Sequence, residues 1–450
     1  MAFFEIDRQT INDLEVFNEA RSGISIFTFF DIAKTIGGRK KLIQMMETPS
    51  VDINVLTSRR DSIKYFYDNP VNLDINKRSL DFIEHYLAFN THALTTNFID
   101  AVAKGIRYKF KSNNDQYVIS QGISDVFKLL KTLHNFCSEL VNKETPAHIN
   151  TIIDTLNAML SKKEIEKVIN WNPGKELSYI QLCYYDKLFR KTELQSVRSA
   201  INIVYELDVY IAAAKAAAEN GFSFPEYCTD KQSYVAISGL FHPCIKKGVK
   251  NDILIDNEQN LVFLTGANMA GKSSFLRSMG LAVYLAHIGF PVPAGNMQTS
   301  VFNGLITTIN LSDNISNGYS HYYSEVKRVK EIAQKILEHG NMFIIFDELF
   351  RGTNVKDAYD ASLATIKALA NITSSVFLIS THIVEITAEL INTPNISFRY
   401  FSSKIEGGKP VFEYKLLTGV SSETMGFFIF KNEGILEILE KATQKKETND

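Results

Sequence analysis

Residues 261–273 read LVFLTGANMAGKS and combine a buried strand pattern with a glycine-containing loop. The apolar run leads into Gly266, and the stretch SFLRSMGLAVYLAHI that follows Lys272–Ser273 has the apolar spacing of a helix. The loop fits the pattern G-x-x-x-x-G-K-[ST], in which glycines let backbone N–H groups converge on phosphate oxygens at a helix N-terminus. A chance glycine-rich turn rarely has both the strand before it and the helix after it.

The loop therefore predicts a binding site for ATP and Mg²⁺. Lys272 is suited to neutralise the β- and γ-phosphates, and the Ser273 hydroxyl is suited to ligate magnesium. The residues that we expect around the nucleotide are Gly266, Ala267, Asn268, Met269, Ala270, Gly271, Lys272, Ser273 and Ser274.

A second apolar strand pattern ends in two carboxylates. MFIIFDE, residues 342–348, delivers Asp347 and Glu348 to the end of the strand. Beside a phosphate loop, one carboxylate can hold Mg²⁺ and the next can orient or deprotonate the attacking water. The alternative is that the pair only caps the following turn. With the loop already found, the pairing predicts ATP hydrolysis and not binding alone.

Two further residues have roles that the pattern leaves open. VFLIS, residues 376–380, delivers Thr381 and His382 to the same edge, since ligands of open α/β sheets bind beyond the carboxyl ends of strands. His382 is either a sensor of the γ-phosphate or a structural hydrogen-bond donor. Ser320 follows a glycine-containing turn and opens a helical pattern, so it is either an anion contact or a simple N-cap.

The chain divides by pattern into a helical first half and an α/β second half. Residues 186–220 have apolar side chains at three- and four-residue spacing without Pro or Gly, which predicts one long amphipathic helix. Beyond Gly221, short apolar strands alternate with helical patterns, which is typical of α/β domains. We place the boundary near Asp230, with an all-α domain over residues 1–230 and an α/β P-loop domain over residues 231–450.

Composition limits the partners and the compartment. The chain carries 48 basic and 50 acidic residues, so its net charge gives no overall attraction for nucleic acid. KGIRYKFK is a local basic segment, either a DNA contact or a solvated face, with the cations Lys104, Arg107, Lys109 and Lys111. Scattered cysteines, no signal-peptide pattern and no apolar run of membrane length predict a cytoplasmic protein without a membrane partner.

These segments resemble the MutS family of DNA mismatch-repair ATPases, whose ATPase domain is of the ABC class. TGANMAGKSSFLRS is similar to the family's TGPNM-x-GKS-T-x-LR run, DELFRGTN to DE-x-GRGTS, STHIVEIT to its ATH-containing switch and IGFPVPA to IG-x-x-VPA. The helical half also resembles the family's core and lever domain. The resemblance is weakest between residues 72 and 190, where a short clamp would fit.

The resemblance implies a site and an assembly. It places Asn268 and Lys272 at the phosphates, Ser273 and Asp347 at Mg²⁺, Glu348 at the attacking water, His382 at the γ-phosphate, Ser320 at the nucleotide of a partner subunit and His242 near the adenine. Family members pair their ATPase domains, so a homodimer with composite ATP sites is implied. The implied function is an ATP-switched clamp on mismatched or otherwise distorted double-stranded DNA, with a repair protein as a further partner.

The chain also departs from the family pattern. Ala267 stands in place of a proline, Phe350 in place of a glycine, Asn354 in place of a serine and His321 in place of a threonine, so turnover and subunit coupling are expected to differ. The chain opens at the core domain, and we expect it to lack the family's mismatch-reading and connector domains. The alternative function is therefore an ABC-type ATPase that moves a protein partner without binding DNA.

Overall fold

The computed structural model of the chain describes residues 3–17, 23–89, 114–140, 143–171, 176–267, 269–309, 321–406, 409–421 and 430–440. The chain forms two compact units. The helical unit comprises Phe29–Glu47 and Ser58–Ala218, and the sheet unit comprises Met1–Thr28, Thr48–Thr57 and Glu219–Asp450. Among the described residues, none of the helices combines the length and the apolar character needed to cross a bilayer.

Helices supply the regular structure of the described residues up to Asn220, apart from one isolated bridge at Glu5. Most of them bury apolar side chains at three- and four-residue spacing, whereas the buried residues of α1 are the polar Thr10 and Asp13. The helices are α1 (Arg8–Asp13), α2 (Ile26–Phe30), α3 (Ile36–Glu47), α4 (Ile53–Asp68), α5 (Lys77–Ala88), α6 (Asn114–Leu140), α7 (Ala147–Leu160), α8 (Lys163–Ile169), α9 (Tyr179–Lys187) and α10 (Leu194–Asn220).

The single helix predicted over residues 186–220 is wrong, because a π-helical turn over Leu188–Thr192 separates α9 from α10. This wider turn contains Arg190, whose side chain is 6% exposed and pairs with Asp186 at 2.7 Å. Buried ion pairs need complete hydrogen bonding. Arg190 also donates to the carbonyl of Phe89, at 3.0 Å, and Asp186 accepts from the Tyr86 hydroxyl, also at 3.0 Å. The spacing of apolar residues cannot predict this turn, because the turn depends on polar contacts with a distant segment of the chain.

The sheet unit contains a six-stranded and a four-stranded sheet. The strands are β1 (Pro225–Tyr227), β2 (Val235–Leu240), β3 (Asn251–Ile255), β4 (Leu261–Gly266), β5 (Asn296–Thr299), β6 (Gly304–Thr308), β7 (Met342–Phe346), β8 (Val376–Ser380), β9 (Ile396–Glu406) and β10 (Lys409–Thr418). The helices that follow strands here are α11 (Lys272–Ala286), α12 (His321–His339), α13 (Val355–Ala370) and α14 (Ile386–Leu390). The mixed architecture of helices and sheets predicted from the sequence is confirmed.

The six-stranded sheet has the order β10-β9-β4-β8-β7-β6, and its strands are parallel except for β10. Every residue of β7 and β8 is buried, which explains their unbroken apolar runs, since parallel strands are covered on both faces. β7 and β8 coincide with the strands predicted at residues 342–346 and 376–380. Because β4, β8 and β7 are neighbours, their carboxyl ends lie together at one edge of the sheet.

The N-terminal segment packs on β6, a contact that no sequence pattern predicted. Glu5 forms a parallel bridge with Gly304. On α1, the Asp13 carboxylate accepts from the Thr307 hydroxyl at 2.7 Å and from the Ile309 amide at 2.9 Å. The segment thereby covers the edge strand of the sheet, whose unpaired backbone groups would otherwise be open to other strands. The predicted domain boundary near Asp230 stays a prediction.

Candidate functional site

The connection between β4 and α11 is a tight loop at the carboxyl edge of the sheet. Gly266 has a φ of 139° and Gly271 a φ of 107°, conformations that glycine tolerates best. A Cβ at Gly266 would lie 3.1 Å from the carbonyl oxygen of Phe401. Met269, a residue that is 77% exposed, also has a positive φ of 69°. The loop ends at the N-terminus of α11, where the first backbone N–H groups have no partner within the helix.

Lys272 places a buried ammonium group inside this loop. Its residue is 5% exposed, and Nζ donates to the carbonyl oxygens of Gly266 at 2.7 Å and Ala267 at 3.2 Å. Burial lowers the pKa of Lys272, while the negative charges of Asp347 and Glu348 raise it. The two carboxylates therefore lie within electrostatic reach of the ammonium.

The end of β7 is joined to both neighbouring strands. The Asp347 amide donates to the carbonyl of Thr308 at 2.9 Å, and the Asp347 carboxylate accepts from the Ser380 hydroxyl. The Glu348 amide donates to the carbonyl of Ser380 at 3.2 Å. Glu348 has a φ of 60°, a conformation that L side chains rarely adopt and that the surrounding structure must hold in place.

The Glu348 carboxylate is paired with two basic side chains. His382 Nε2 lies 2.6 Å from Oε1, and Arg351 Nη1 donates to Oε2 at 3.0 Å. The hydrogen bond with His382 lowers the pKa of Glu348 to about 2, with the charges of His382 and Arg351 adding to it and burial opposing it. No sequence pattern pointed to Arg351, because this contact depends on the positive φ angles of Glu348 and Phe350, which a single sequence does not reveal.

A cleft of about 600 Å³ opens beside the loop. Part of its wall comes from the segment after β2, with Phe241, His242 and Ile245, and from Tyr414 on β10. Burial lowers the pKa of His242 to about 4, and the charge of Arg277 adds to this, so the imidazole is neutral at pH 7. No sequence motif marked Tyr414, whose carbonyl accepts from the Asn251 side-chain amide at 3.0 Å.

The structure brings most of the predicted residues to this one place. Those that line the cleft are His242, Ala267, Met269, Gly271, Lys272, Ser273, Ser274 and Glu348. Gly266, Ala270 and Asp347 are adjacent to these residues in the chain, and His382 contacts Glu348. Those that lie outside the described residues are Asn268, Ser320, Lys104, Arg107, Lys109 and Lys111.

Oxygen atoms dominate the groups that could hold a metal here. The Ser273 hydroxyl and the Asp347 carboxylate are ligands of the kind that Mg²⁺ prefers. Within the described ranges, there is no cluster of three or more His, Cys, Asp or Glu side chains suited to a metal ion. The donor set therefore fits a hydrated Mg²⁺ that takes further ligands from bound phosphates, and does not fit a metal held by protein ligands alone.

Comparison with known proteins accounts for both parts of the chain. A family model described as MutS domain III matches residues 9–214, and one described as MutS domain V matches residues 262–449. A DNA mismatch repair protein MutS from Thermus thermophilus is 32% identical over 256 residues, which are 56% of this chain and 30% of that protein. One from Anaplasma phagocytophilum is 32% identical over 242 residues, which are 53% of this chain and 29% of that protein.

A longer alignment reaches across nearly the whole chain. A DNA mismatch repair protein MutS from Wolbachia pipientis wMel is 25% identical over 455 residues, covering 98% of this chain and 50% of that protein. The chain thus spans half or less of the length of these relatives. Because models of two MutS domains match residues 9–214 and 262–449 in succession, this chain belongs to the MutS family.

Proposed function

We propose that this chain binds ATP with Mg²⁺ in the cleft and hydrolyses it. The observation that carries the proposal is the buried Lys272 ammonium, which lies at a helix N-terminus within electrostatic reach of Asp347 and Glu348. A triphosphate with a divalent cation matches this arrangement, because its phosphates need the N–H groups and the ammonium while its cation needs a carboxylate. The fold is then that of an ABC-type P-loop ATPase.

Each role follows from the chemistry of the side chain. The backbone of residues 266–274 and Lys272 hold the phosphates, and Ser273 and Asp347 supply oxygen ligands to Mg²⁺. When bound, Mg²⁺ neutralises the charge that develops on the phosphate oxygens. Glu348 is ionised and orients the attacking water, and His382 beside it contacts the γ-phosphate. The neutral His242 and its apolar neighbours provide a surface for adenine.

We further propose that the nucleotide state switches a homodimeric clamp on mismatched or otherwise distorted double-stranded DNA. The support is the name of the relatives, DNA mismatch repair protein MutS, which also favours DNA over the alternative of a protein partner alone. In such a dimer, Ser320 of one subunit would contact the nucleotide of the other, and Lys104, Arg107, Lys109 and Lys111 would contact DNA phosphates. A repair protein is a further proposed partner, and the cytoplasm the proposed location.

The substitution Glu348→Gln tests the proposed hydrolysis. It keeps the shape of the side chain but removes the charge that orients the water, so we expect ATP binding to persist while turnover falls about 100- to 1,000-fold. Fluorescence titration with a labelled ATP analogue measures binding, and phosphate release measures turnover. Glu389→Gln, which changes an exposed carboxylate with a side chain 56% exposed, is the control and should match the unaltered chain.

Two results would count against the proposal. Full turnover by Glu348→Gln would remove Glu348 from the reaction. A wild-type chain that fails to bind ATP with Mg²⁺, or a Lys272→Ala variant that binds it with wild-type affinity, would remove the cleft as the nucleotide site.

A further inference from the structure

We propose that the first turn of α12 positions the Glu348 carboxylate for hydrolysis, through the contact between Phe350 and Tyr322. This inference rests on the proposed ATPase function and deepens it. It assigns Phe350 as a positioning residue, since its contacts are with α12 and the protein core and not with the proposed reacting atoms.

The loop after β7 lies against the first turn of α12. Phe350 lies in the loop after β7, and His321 is the first residue of α12. The loop and the helix approach so closely that a Cβ at Gly352 would lie 2.6 Å from Nδ1 of His321 and 2.7 Å from the amide of Tyr322. Gly352 in the loop and His321 on α12 are therefore in close contact, although they lie 31 positions apart in the sequence.

Phe350 adopts a conformation that a glycine would take at lower cost. Its φ is 58°, and its side chain is buried, with the residue 4% exposed. Its ring packs edge-on against Tyr322, with 5.9 Å between ring centroids and 62° between ring planes. A phenylalanine persists with such a φ only where its surroundings hold it, so the aromatic contact fixes the loop at this residue.

A hydrogen bond also joins the loop to α12 at Gly352, two residues after Phe350. The buried Glu325 carboxylate on α12 accepts from the Gly352 amide at 3.2 Å. α12 is itself fixed to the sheet, because Arg328 donates to the Asp7 carboxylate at 2.6 Å and to the carbonyl of Thr307 at 2.9 Å. Because α12 is held in place by these bonds, its contacts with the loop hold the loop in place as well.

Glu348 lies between two fixed points. On one side its amide is bonded to Ser380 on β8, and on the other side Phe350 is anchored to α12 after a single intervening residue. Arg351, which follows Phe350, donates to the Glu348 carboxylate at 3.0 Å. Without the contact between Phe350 and Tyr322, the backbone after Glu348 would be less constrained. Arg351, which pairs with the Glu348 carboxylate, would be less constrained as well. A displacement of about 1 Å is enough to lower a catalytic rate about 100-fold.

The test is Phe350→Gly, which removes the ring and leaves a residue that tolerates the local φ. We expect kcat for ATP to fall about 10- to 100-fold, while the dissociation constant for ATP with Mg²⁺ stays within about twofold because the residues that hold the phosphates are unchanged. Phe350→Leu keeps a buried apolar side chain and should recover most of kcat. Tyr322→Ala removes the other half of the contact and should reproduce the loss.

Leu369→Ala is the control for a loss of packing alone. Leu369 belongs to the same buried cluster as Phe350 but lies on α13, so its truncation should lower thermal stability and leave kcat at the wild-type value. If Phe350→Gly fails to fold, Tyr322→Ala carries the same expectation. Wild-type kcat in folded Phe350→Gly or Tyr322→Ala, or an equal loss of kcat in Leu369→Ala, would overturn the positioning role. A wild-type chain without ATP turnover would instead overturn the proposed function.

Discussion

Glu348 combines an unusual backbone conformation with a strongly stabilised negative charge. Its pKa of about 2, caused first by the hydrogen bond with His382, makes it a weak proton acceptor. A general base works best when its pKa lies near the working pH. With His382 and Arg351 both in contact with it, the carboxylate is therefore better suited to orient a water molecule than to remove its proton. Breaking the contact with His382 would raise its basicity.

The substitution His382→Ala tests this pairing through the pH dependence of folding. The pKa of Glu348 is lower in the folded chain than its ordinary value of 4.5, so the pair stabilises the fold above that value. This stabilisation is lost as the pH falls toward the folded pKa. We expect the wild type to exceed His382→Ala in free energy of unfolding at about pH 5, and the difference to shrink by about pH 3. Urea unfolding at both pH values measures it, and a pH-independent difference would contradict the assigned cause.

At the scale of elements, the sheet edge at β6 is closed by α1. Thr307 is bonded twice to this helix, since its amide donates to the Thr10 hydroxyl at 2.9 Å and its own hydroxyl donates to Asp13 at 2.7 Å. Asp13 is buried and also accepts from the Ile309 amide at 2.9 Å. A buried acceptor with several donors stabilises a structure mainly because its removal leaves those donors without partners.

Asp13→Ala should therefore lower the free energy of unfolding by about 3 kcal/mol, since a buried hydroxyl and a buried amide lose their acceptor. Arg8→Ala, at an exposed position on the same helix, is the matched control and should change stability by no more than about 0.5 kcal/mol. Denaturant unfolding measures both variants. Equal free energies of unfolding for the two variants would show that the bonds of Asp13 contribute little to the stability of the sheet edge.

The same elements show what sequence reasoning could and could not predict. Local patterns predicted β7 and β8 at their observed bounds, because a buried parallel strand is a continuous apolar run. The loop before Lys272 was predicted from the glycine spacing. The pairing of Asp13 with Thr307 was not, because it joins residues 294 positions apart. The role of Arg351 was also missed, because it depends on a loop conformation that no local pattern encodes.

At the scale of the whole molecule, charge limits how DNA could be bound. Acidic and basic residues nearly balance, with a formal net charge of −2. An attraction for a polyanion must then come from a small number of local cations. Each contact with a DNA phosphate makes the affinity for DNA more dependent on salt by a defined increment. The proposed DNA function therefore predicts a slope of log affinity against log salt that a few substitutions can change measurably.

Replacing the four cations at 104, 107, 109 and 111 by alanine tests this expectation on mismatched, branched and fully paired duplexes. With ATP present, the slope should become shallower by about 3 to 4 between about 50 and 200 mM salt, since each lost phosphate contact contributes about 0.9. The matched control removes the same charge from exposed lysines of the sheet unit, namely Lys330, Lys356, Lys367 and Lys409. That control should keep the wild-type slope. If the unaltered chain binds none of these duplexes at low salt, with or without ATP, the ATPase acts on a protein partner and the DNA clamp is wrong.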